Sequence, residues 1–287
     1  MTMRANSKGE AIGCLYLVAT PIGNLEDITL RALRVLKEAD LVACEDTRRT
    51  QKLLNHYAIR KRLVSYHEHN EMTRAAELVI ELEQGAQLAL VSDAGTPVIS
   101  DPGHRLVALC LRHHIPVVPI PGPSALVAAL AASGMPTEEF LFAGFLPSRT
   151  GERRRALRAL ASQERTLVLY EAPHRLAETL EDALEVLGPR HAVIAREVTK
   201  LHEEFKRGTL KDLLEHTQRK PPRGEITLLI GPGAAPQPAA STESLSERIA
   251  QIMRAGQVDH KAALKQAARE RRLSKREAYK QLLVERS

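Results

Sequence analysis

Charged side chains that can transfer or hold protons are concentrated in three short stretches of this 287-residue chain. They are EDTR at residues 45–48, HEHNE at residues 67–71 and REVTKLHEE at residues 196–204. Carboxylates, imidazoles and a lysine at such close spacing are typical of sites where a general acid or base assists a reaction. A purely structural interpretation of EDTR is also open, in which Asp46 caps a helix and the stretch forms a surface ion pair.

A fourth stretch, SDAGTPVISDPG at residues 92–103, is rich in residues that break helices and strands. It follows QLALV, an apolar run that predicts a buried strand, and it holds two glycines, two prolines and two aspartates. Glycine permits positive φ angles and lets a ligand approach the backbone closely. We therefore expect this loop to touch a ligand.

The elements that position these stretches alternate between strand and helix over the first 120 residues. Such alternation implies a parallel sheet with helices on both faces. Ligands bind beyond the carboxyl ends of parallel strands, so the loops there should form a bowl whose backbone groups hold a ligand such as adenosine in an apolar slot. The predicted strands are 13–19, 41–46, 62–66, 87–92 and 116–120, and the predicted helices are 29–38, 70–85 (with Asn70 as cap) and 105–114.

A second series of strands and helices begins near Gly122, so the predicted fold class is α/β with two α/β domains. The domains are expected at residues 13–121 and 122–231, followed by a linker at 232–243 and a basic helical unit at 244–287. This unit fits a helix-turn-helix arrangement, with packing or dimerisation as the alternative role. Predicted strands are 139–145, 166–171, 191–196 and 225–231; predicted helices are 124–133, 151–161, 173–187, 209–217, 245–255, 260–270 and 275–286.

Composition restricts the class of protein. The chain is 44% hydrophobic with a net charge of +6, and it has no apolar run long enough to cross a bilayer and no apolar signal core at its N-terminus. Cys14, Cys44 and Cys110 stand singly among apolar residues, so a cytoplasmic protein without disulfides is expected. The first loop lacks a G-x-G-x-x-G fingerprint, and no P-loop motif occurs. His67 and His69 have no further ligand cluster, so no metal site is expected.

Seven motifs stand in a fixed order along the chain: LVATPIGNLEDITLRAL, ACEDTR, SDAGTPVISDPG, PGPSA, GFLP, YEAPHR and REVTKLHEE. In this order they closely resemble the tetrapyrrole-methylase superfamily, over about residues 13–287. The full set is similar to the branch that methylates the ribose 2′-hydroxyl of a cytidine in the decoding region of 16S rRNA. The resemblance implies S-adenosylmethionine as cofactor, bound between the two α/β domains, the small ribosomal subunit as partner, a homodimer, and no membrane.

The resemblance also assigns residues to the cofactor. TPIGN departs from the glycine-richer loop of porphyrin-methylating relatives, which leaves the roles of Pro21 and Gly23 less defined than that of Asp93. The implied cofactor-binding residues are Pro21, Asp93, Gly95, Thr96, Ser124 and Ala125 from the first domain, and Tyr170, Arg196, Glu197 and the strand start at Glu225 and Ile226 from the second.

Methyl transfer to a ribose hydroxyl requires in-line positioning and help for a weakly acidic group, and it requires no metal ion. We expect Lys200, paired with Glu204 or Asp46, to orient the hydroxyl and lower its pKa. The predicted catalytic residues are Asp46, Arg48, Lys200 and Glu204.

Arginines at 149–158 and the basic residues after Ser244 are candidate contacts for RNA phosphates, or simply solvated helix faces. Few acidic residues lie near Arg153–Arg155 in the sequence, which favours RNA contact. Two other functions stay open at this level: a methylase acting on a small tetrapyrrole, and a ligand-sensing regulator that binds DNA through its helical unit.

Overall fold

The computed structural model describes residues 13–233, 244–256 and 259–270, together with residues 278 and 282. The chain divides into two compact units, Met1–Pro232 and Gly233–Ser287. The larger unit contains two five-stranded sheets. The predicted α/β class is confirmed, whereas the predicted domain boundaries stay predictions.

The strands of the first sheet are β1 Cys14–Val18, β2 Leu41–Cys44, β3 Arg62–Ser65, β4 Gln87–Val91 and β5 Val117–Ile120, and its helices are α1 Leu30–Glu38, α2 Thr47–His56, α3 Glu71–Glu83 and α4 His104–Arg112. The sheet is entirely parallel, with the strand order β3-β2-β4-β1-β5. Successive side chains of a strand point to opposite faces. Leu41 and Ala43 accordingly pack against α3 and α4, while Val42 and Cys44 pack against α1 and α2.

The strands of the second sheet are β6 Phe140–Phe145, β7 Thr166–Glu171, β8 His191–Arg196, β9 Glu204–Thr209 and β10 Ile226–Ile230, and its helices are α5 Ala125–Ser133, α6 Thr150–Leu160, α7 Leu176–Leu187 and α8 Leu210–Arg219. The sheet has the order β6-β7-β10-β8-β9 and is mixed, because only the pair β6–β7 is parallel. One apolar face packs against α6, α7 and α8, and the other packs against α5.

Two polar elements were not among the predicted strands and helices, although the structural interpretation of EDTR anticipated a helix capped by Asp46, as α2 is. Strand β9 reads EFKRGT and pairs only with β8 at the edge of its sheet. Helix α2 reads TRRTQKLLNH and buries only Thr50 and Leu54. Neither segment has an apolar pattern strong enough to reveal its period.

Some helix starts carry a side-chain cap, and others, including α3, α4, α6 and α7, do not. The Thr29 hydroxyl accepts a hydrogen bond from the Ala32 N–H at 3.1 Å, and Ser124 caps α5 in the same way. Asn70 precedes α3, but its side chain does not cap that helix. Its Oδ1 instead accepts from the His67 N–H at 2.9 Å, so the predicted cap at Asn70 is wrong.

The arginine-rich segment forms α6, and the expectation that Arg153–Arg155 face RNA is wrong for its first two members. The Arg153 side chain is only 1% exposed, and its Nε lies 2.6 Å from Oδ2 of Asp182. Arg154 Nε lies 2.6 Å from the other oxygen, Oδ1, of the same carboxylate. The acidic partner comes from α7, and sequence proximity could not reveal it.

In the smaller unit, Ser244 and Glu247 form a reciprocal capping pair at the start of α9, Leu245–Gly256. Asp259 Oδ1 accepts from the Ala262 N–H at 2.7 Å at the start of α10, His260–Glu270. Both helices contribute to an apolar cluster that includes Leu245, Ile249 and Leu264. The predicted helix at 275–286 lies largely outside the described residues. None of the described helices is long and apolar enough to span a bilayer.

Candidate functional site

A cavity of about 400 Å³ opens where the carboxyl ends of the first sheet face the second sheet. Both sheets contribute to its lining, and most of the sequence motifs meet there. Eight of the predicted cofactor-binding residues line it: Asp93, Gly95, Thr96, Ser124, Ala125, Tyr170, Glu225 and Ile226.

Three loops of the first sheet are hydrogen-bonded to one another at the cavity. Thr20 and Gly95 exchange two backbone hydrogen bonds, each 2.9 Å between N and O. The Thr96 hydroxyl donates to the Pro123 carbonyl at 3.3 Å. Gly95 has φ 84°, a conformation that other residues rarely adopt. The loop SDAGTP is therefore held in one backbone shape by its neighbours.

Asp93 connects the loop after β4 to the start of α2. Its Oδ1 accepts the Asp46 N–H at 3.1 Å, and its Oδ2 lies 3.2 Å from Arg49 Nη1. The Asp46 carboxylate is itself the cap of α2, accepting from the Arg48 N–H at 2.8 Å. Asp46 and the exposed Arg48 do not line the cavity, whereas Arg49 does.

A group of carboxylates lies on the first-sheet side of the cavity. Asp101 lines the cavity, and its pKa is raised to about 6, first by burial and then by the charges of Glu45 and Asp93, with Ser92 opposing the shift. The pKa of Glu45 is also raised, by burial and by Asp93 and Glu68. In the part of the chain that the structure describes, Asp101 forms no ion pair. It is therefore the cavity carboxylate best suited to accept a proton near neutral pH.

Apolar and aromatic side chains from both sheets and their loops form another part of the lining. Phe145 and Tyr170 have ring centroids 5.6 Å apart, and Ile22, Ile99 and Ile226 complete the surface. Phe145 is 57% exposed, an unusual position for a phenylalanine. Such a wall suits a flat ring system.

Lys200 lies beside the cavity, but its partners differ from those expected. Its Nζ is 2.8 Å from Glu197 Oε1 and 2.9 Å from Glu225 Oε2. The predicted pairing of Lys200 with Glu204 or Asp46 is therefore wrong. Burial opposes its charge, but hydrogen bonds to these two carboxylates outweigh that effect and raise the pKa of Lys200.

The Lys200 side chain crosses from the second sheet to the loop after β1. A Cβ atom at Gly23 would lie 2.3 Å from Lys200 Cε, so a larger residue there would displace the lysine stem from its present position. The neighbouring Thr199 hydroxyl donates to Asp27 Oδ2 at 2.6 Å. Lys200 thus joins two parts of the unit at the rim, and through Glu225 it reaches the cavity lining.

Four other predicted residues also stand outside the lining: Pro21, Arg196, Glu197 and Glu204. Pro21 directly precedes the lining residue Ile22, and Glu197 Oε1 accepts the N–H of the lining residue Glu225 at 2.9 Å. Arg196 instead pairs with Glu204 at 3.1 Å between Nη2 and Oε2.

Sequence reasoning missed Asp101, Arg49 and Phe145 as lining residues. Asp101 was visible as the second aspartate of SDAGTPVISDPG, and its place in a loop already expected to touch ligand was the available signal. Arg49 follows EDTR directly, and Phe145 lies in the motif GFLP. Over the described residues, no group of three or more His, Cys, Asp or Glu side chains could hold a metal ion.

Comparison with known proteins identifies the family. A model of the tetrapyrrole (corrin/porphyrin) methylases matches residues 14–214. Ribosomal RNA small subunit methyltransferase I of Halalkalibacterium halodurans is 49% identical over 282 residues, covering 97% of each chain. The protein of the same name from Synechocystis is 48% identical and covers 93% of this chain and 96% of its own.

Solved structures show the same fold at lower identity. A cobalt precorrin-4 methyltransferase has a TM-score of 0.57 and 20% identity, over 76% of this chain and 94% of its own. The uroporphyrin-III C-methyl transferase of Thermus thermophilus, complexed with S-adenyl homocysteine, has a TM-score of 0.55 and 23% identity, over 76% and 97%. The family expected from the ordered motifs is thereby confirmed: the chain belongs to the tetrapyrrole (corrin/porphyrin) methylase family.

Proposed function

We propose that this chain transfers the methyl group of S-adenosylmethionine to the ribose 2′-oxygen of a cytidine in the 16S rRNA of the small ribosomal subunit. The observation that carries the proposal is the 49% identity, over 97% of both chains, to a ribosomal RNA small subunit methyltransferase I. Tetrapyrrole methylation is not favoured, because the solved tetrapyrrole enzymes share the fold at 20–26% identity only.

The cavity fits S-adenosylmethionine in size and chemistry. Its volume of about 400 Å³ lies in the range of small-molecule sites. The isoleucine and aromatic wall suits the adenine ring, and the carboxylates of Asp93 and Asp101 suit a ligand with positive charge. The backbone at Gly95, where no side chain blocks a ligand, and the start of α5 at Ser124 supply polar groups for hydrogen bonds. When bound there, the cofactor supplies an electrophilic methyl group on a sulfonium.

The proton of the acceptor hydroxyl goes to Asp101 in this proposal. Asp101 lines the cavity and has no ion pair among the described residues, and its raised pKa keeps it able to accept a proton near neutral pH. Lys200 forms ion pairs with two carboxylates, and its raised pKa keeps the ammonium protonated. It therefore holds Glu225 in place and does not accept the proton of the substrate. Asp46, as the cap of α2, fixes Arg49 and Asp93.

The remaining predicted residues lie outside the cavity lining. The Arg196–Glu204 pair joins the end of β8 to the start of β9, and exposed Arg48 is left for contact with the RNA. The predicted homodimer, the cytoplasmic location and RNA contact by residues 244–287 stay predictions.

The test uses purified protein, methyl-labelled S-adenosylmethionine and small subunits from cells that lack this gene. Label on the ribose of a single cytidine, mapped by nuclease digestion and mass spectrometry, is the expected result. Unlabelled RNA, with cofactor binding shown by calorimetry, would refute the rRNA substrate. Label on a base instead of a ribose would refute the 2′-oxygen as acceptor.

A further inference from the structure

A second groove, of about 260 Å³, lies between the end of α8, the loop before β10 and strands β8 and β9. Four cationic side chains line it: Arg196, Lys206, Lys220 and Arg223. Glu204 is the carboxylate in the lining, and His216 adds an imidazole. The groove therefore carries three net positive charges with the histidine neutral.

Three of these cations lack an acidic partner. Lys206, Lys220 and Arg223 are exposed, and within the described residues none of them forms an ion pair with a carboxylate. The arginines of α6 behave differently, since Arg153 and Arg154 are paired with acids of α7. Positive charge without an internal partner is available to an anionic ligand.

The groove continues into the reaction cavity. A shallow hollow between them shares Pro221, Pro222 and Arg223 with the groove, and shares Pro173 and Gly224 with the cavity. His174 also lines this hollow. A polymer with its reacting unit in the cavity would extend along this surface, whereas a small substrate would need no such extension.

The loop that carries Arg223 is held in position. The Arg196 Nη1 donates to the Arg223 carbonyl at 3.4 Å, and two consecutive prolines restrict the backbone before it. Gly224 has φ 90°, and a Cβ atom there would lie 2.3 Å from Glu197 Oε1. The cations thus stand on a constrained loop and on strand β9, as suits a preformed binding surface.

We propose that this basic groove binds the sugar–phosphate backbone of the substrate RNA beside the target nucleotide, with Lys206, Lys220 and Arg223 contacting phosphates. The inference rests on the proposed function, and it assigns RNA contact to the second sheet rather than to the paired arginines of α6. Lysine and arginine contacts to phosphates supply affinity and register without reading the bases.

The test compares the triple variant Lys206→Gln, Lys220→Gln, Arg223→Gln with a control that loses the same charge elsewhere. The control is Lys37→Gln, Arg112→Gln, Lys211→Gln, whose residues are exposed and line none of the three hollows. Binding of naked 16S rRNA is measured at several salt concentrations, and methylation of small subunits is measured in parallel. Cofactor affinity reports whether each variant is folded.

Affinity for RNA falls as salt rises, and in the groove variant this fall should be less steep. The magnitude of the slope of log affinity against log salt should decrease by about 2, because each single-strand phosphate that is no longer neutralised reduces it by roughly 0.7. It should raise the KM for small subunits while cofactor affinity stays unchanged. A slope equal to that of the control would overturn the groove. Loss of binding to subunits but not to naked rRNA would also overturn it, in favour of a ribosomal protein as the partner. Failure of the proposed function is separate, because it would appear as unmethylated subunits with the wild-type protein.

Discussion

Replacement of Asp101 by asparagine should stabilise the protein and abolish most of its activity. The carboxylate is surrounded by Glu45 at the end of β2 and Asp93 at the end of β4, with Ser92 opposing their effect. Arg49 from α2 and Tyr170 from the second sheet line the same cavity. Asparagine has nearly the same shape but no charge, so it removes the cost of burying an anion next to two others.

The size of the stability gain in Asp101→Asn follows from the raised pKa of Asp101. The rise in the pKa of Asp101 from 3.8 to about 6 corresponds to about 3 kcal/mol, at about 1.36 kcal/mol for each unit of pKa. Asp101 is partly exposed, and solvent screening reduces this to about 1–2 kcal/mol. Because the folded state holds this proton more tightly than the unfolded state, wild-type stability falls as pH rises from about 4 to 6 and then levels off. The full gain in the variant is therefore expected above pH 6.

Urea unfolding of Asp101→Asn and wild type at pH 5 and pH 7.5 measures this difference. The variant should gain about 1–2 kcal/mol at pH 7.5 and less at pH 5. Asp93→Asn is the matched control, and it should gain nothing because the Asp93 carboxylate is paired with Arg49. In methylation assays the wild-type rate should fall below about pH 6, whereas the Asp101 variant should be slow at every pH with cofactor still bound. A wild-type rate and pH profile in the variant would refute the assignment of Asp101 as base, and a loss of stability at pH 7.5 would refute the burial argument.

Three further predictions concern the scaffold and the rim. Asp182→Ala leaves the buried Arg153 guanidinium without its 2.6 Å partner and should cost about 3–5 kcal/mol in urea unfolding; a loss below 1 kcal/mol would contradict a buried structural pair. Gly95→Ala forces a side chain into φ 84°, so it should cost about 1 kcal/mol or more and weaken cofactor binding by calorimetry; unchanged affinity would show that this backbone does not contact the cofactor. Lys200→Gln removes the contacts to Glu197 and Glu225 and should weaken cofactor binding while turnover at saturating cofactor persists. Abolished turnover with normal cofactor affinity would instead restore Lys200 as a catalytic residue.

Local sequence patterns were enough to predict most of the helices and strands and the position of the site. Strands such as β4 and β7 are short apolar runs ended by turn residues, and those features are local. Caps such as Thr29 and Ser124 act within three residues of their own position. The loop SDAGTP is recognisable by its glycine and proline content, and it does line the cavity.

The pairing of charged groups, by contrast, depends on how distant segments pack in the folded chain. Lys200 meets Glu225 across 25 residues, and Arg153 meets Asp182 across 29. The order of strands in the sheets, including the antiparallel placement of β10 between β7 and β8, sets these encounters. The pKa of Asp101 likewise depends on burial and on Glu45, which comes from another strand end. Local sequence fixes what each segment prefers, but a charge is neutralised, buried or left for a ligand according to packing between segments far apart in the chain.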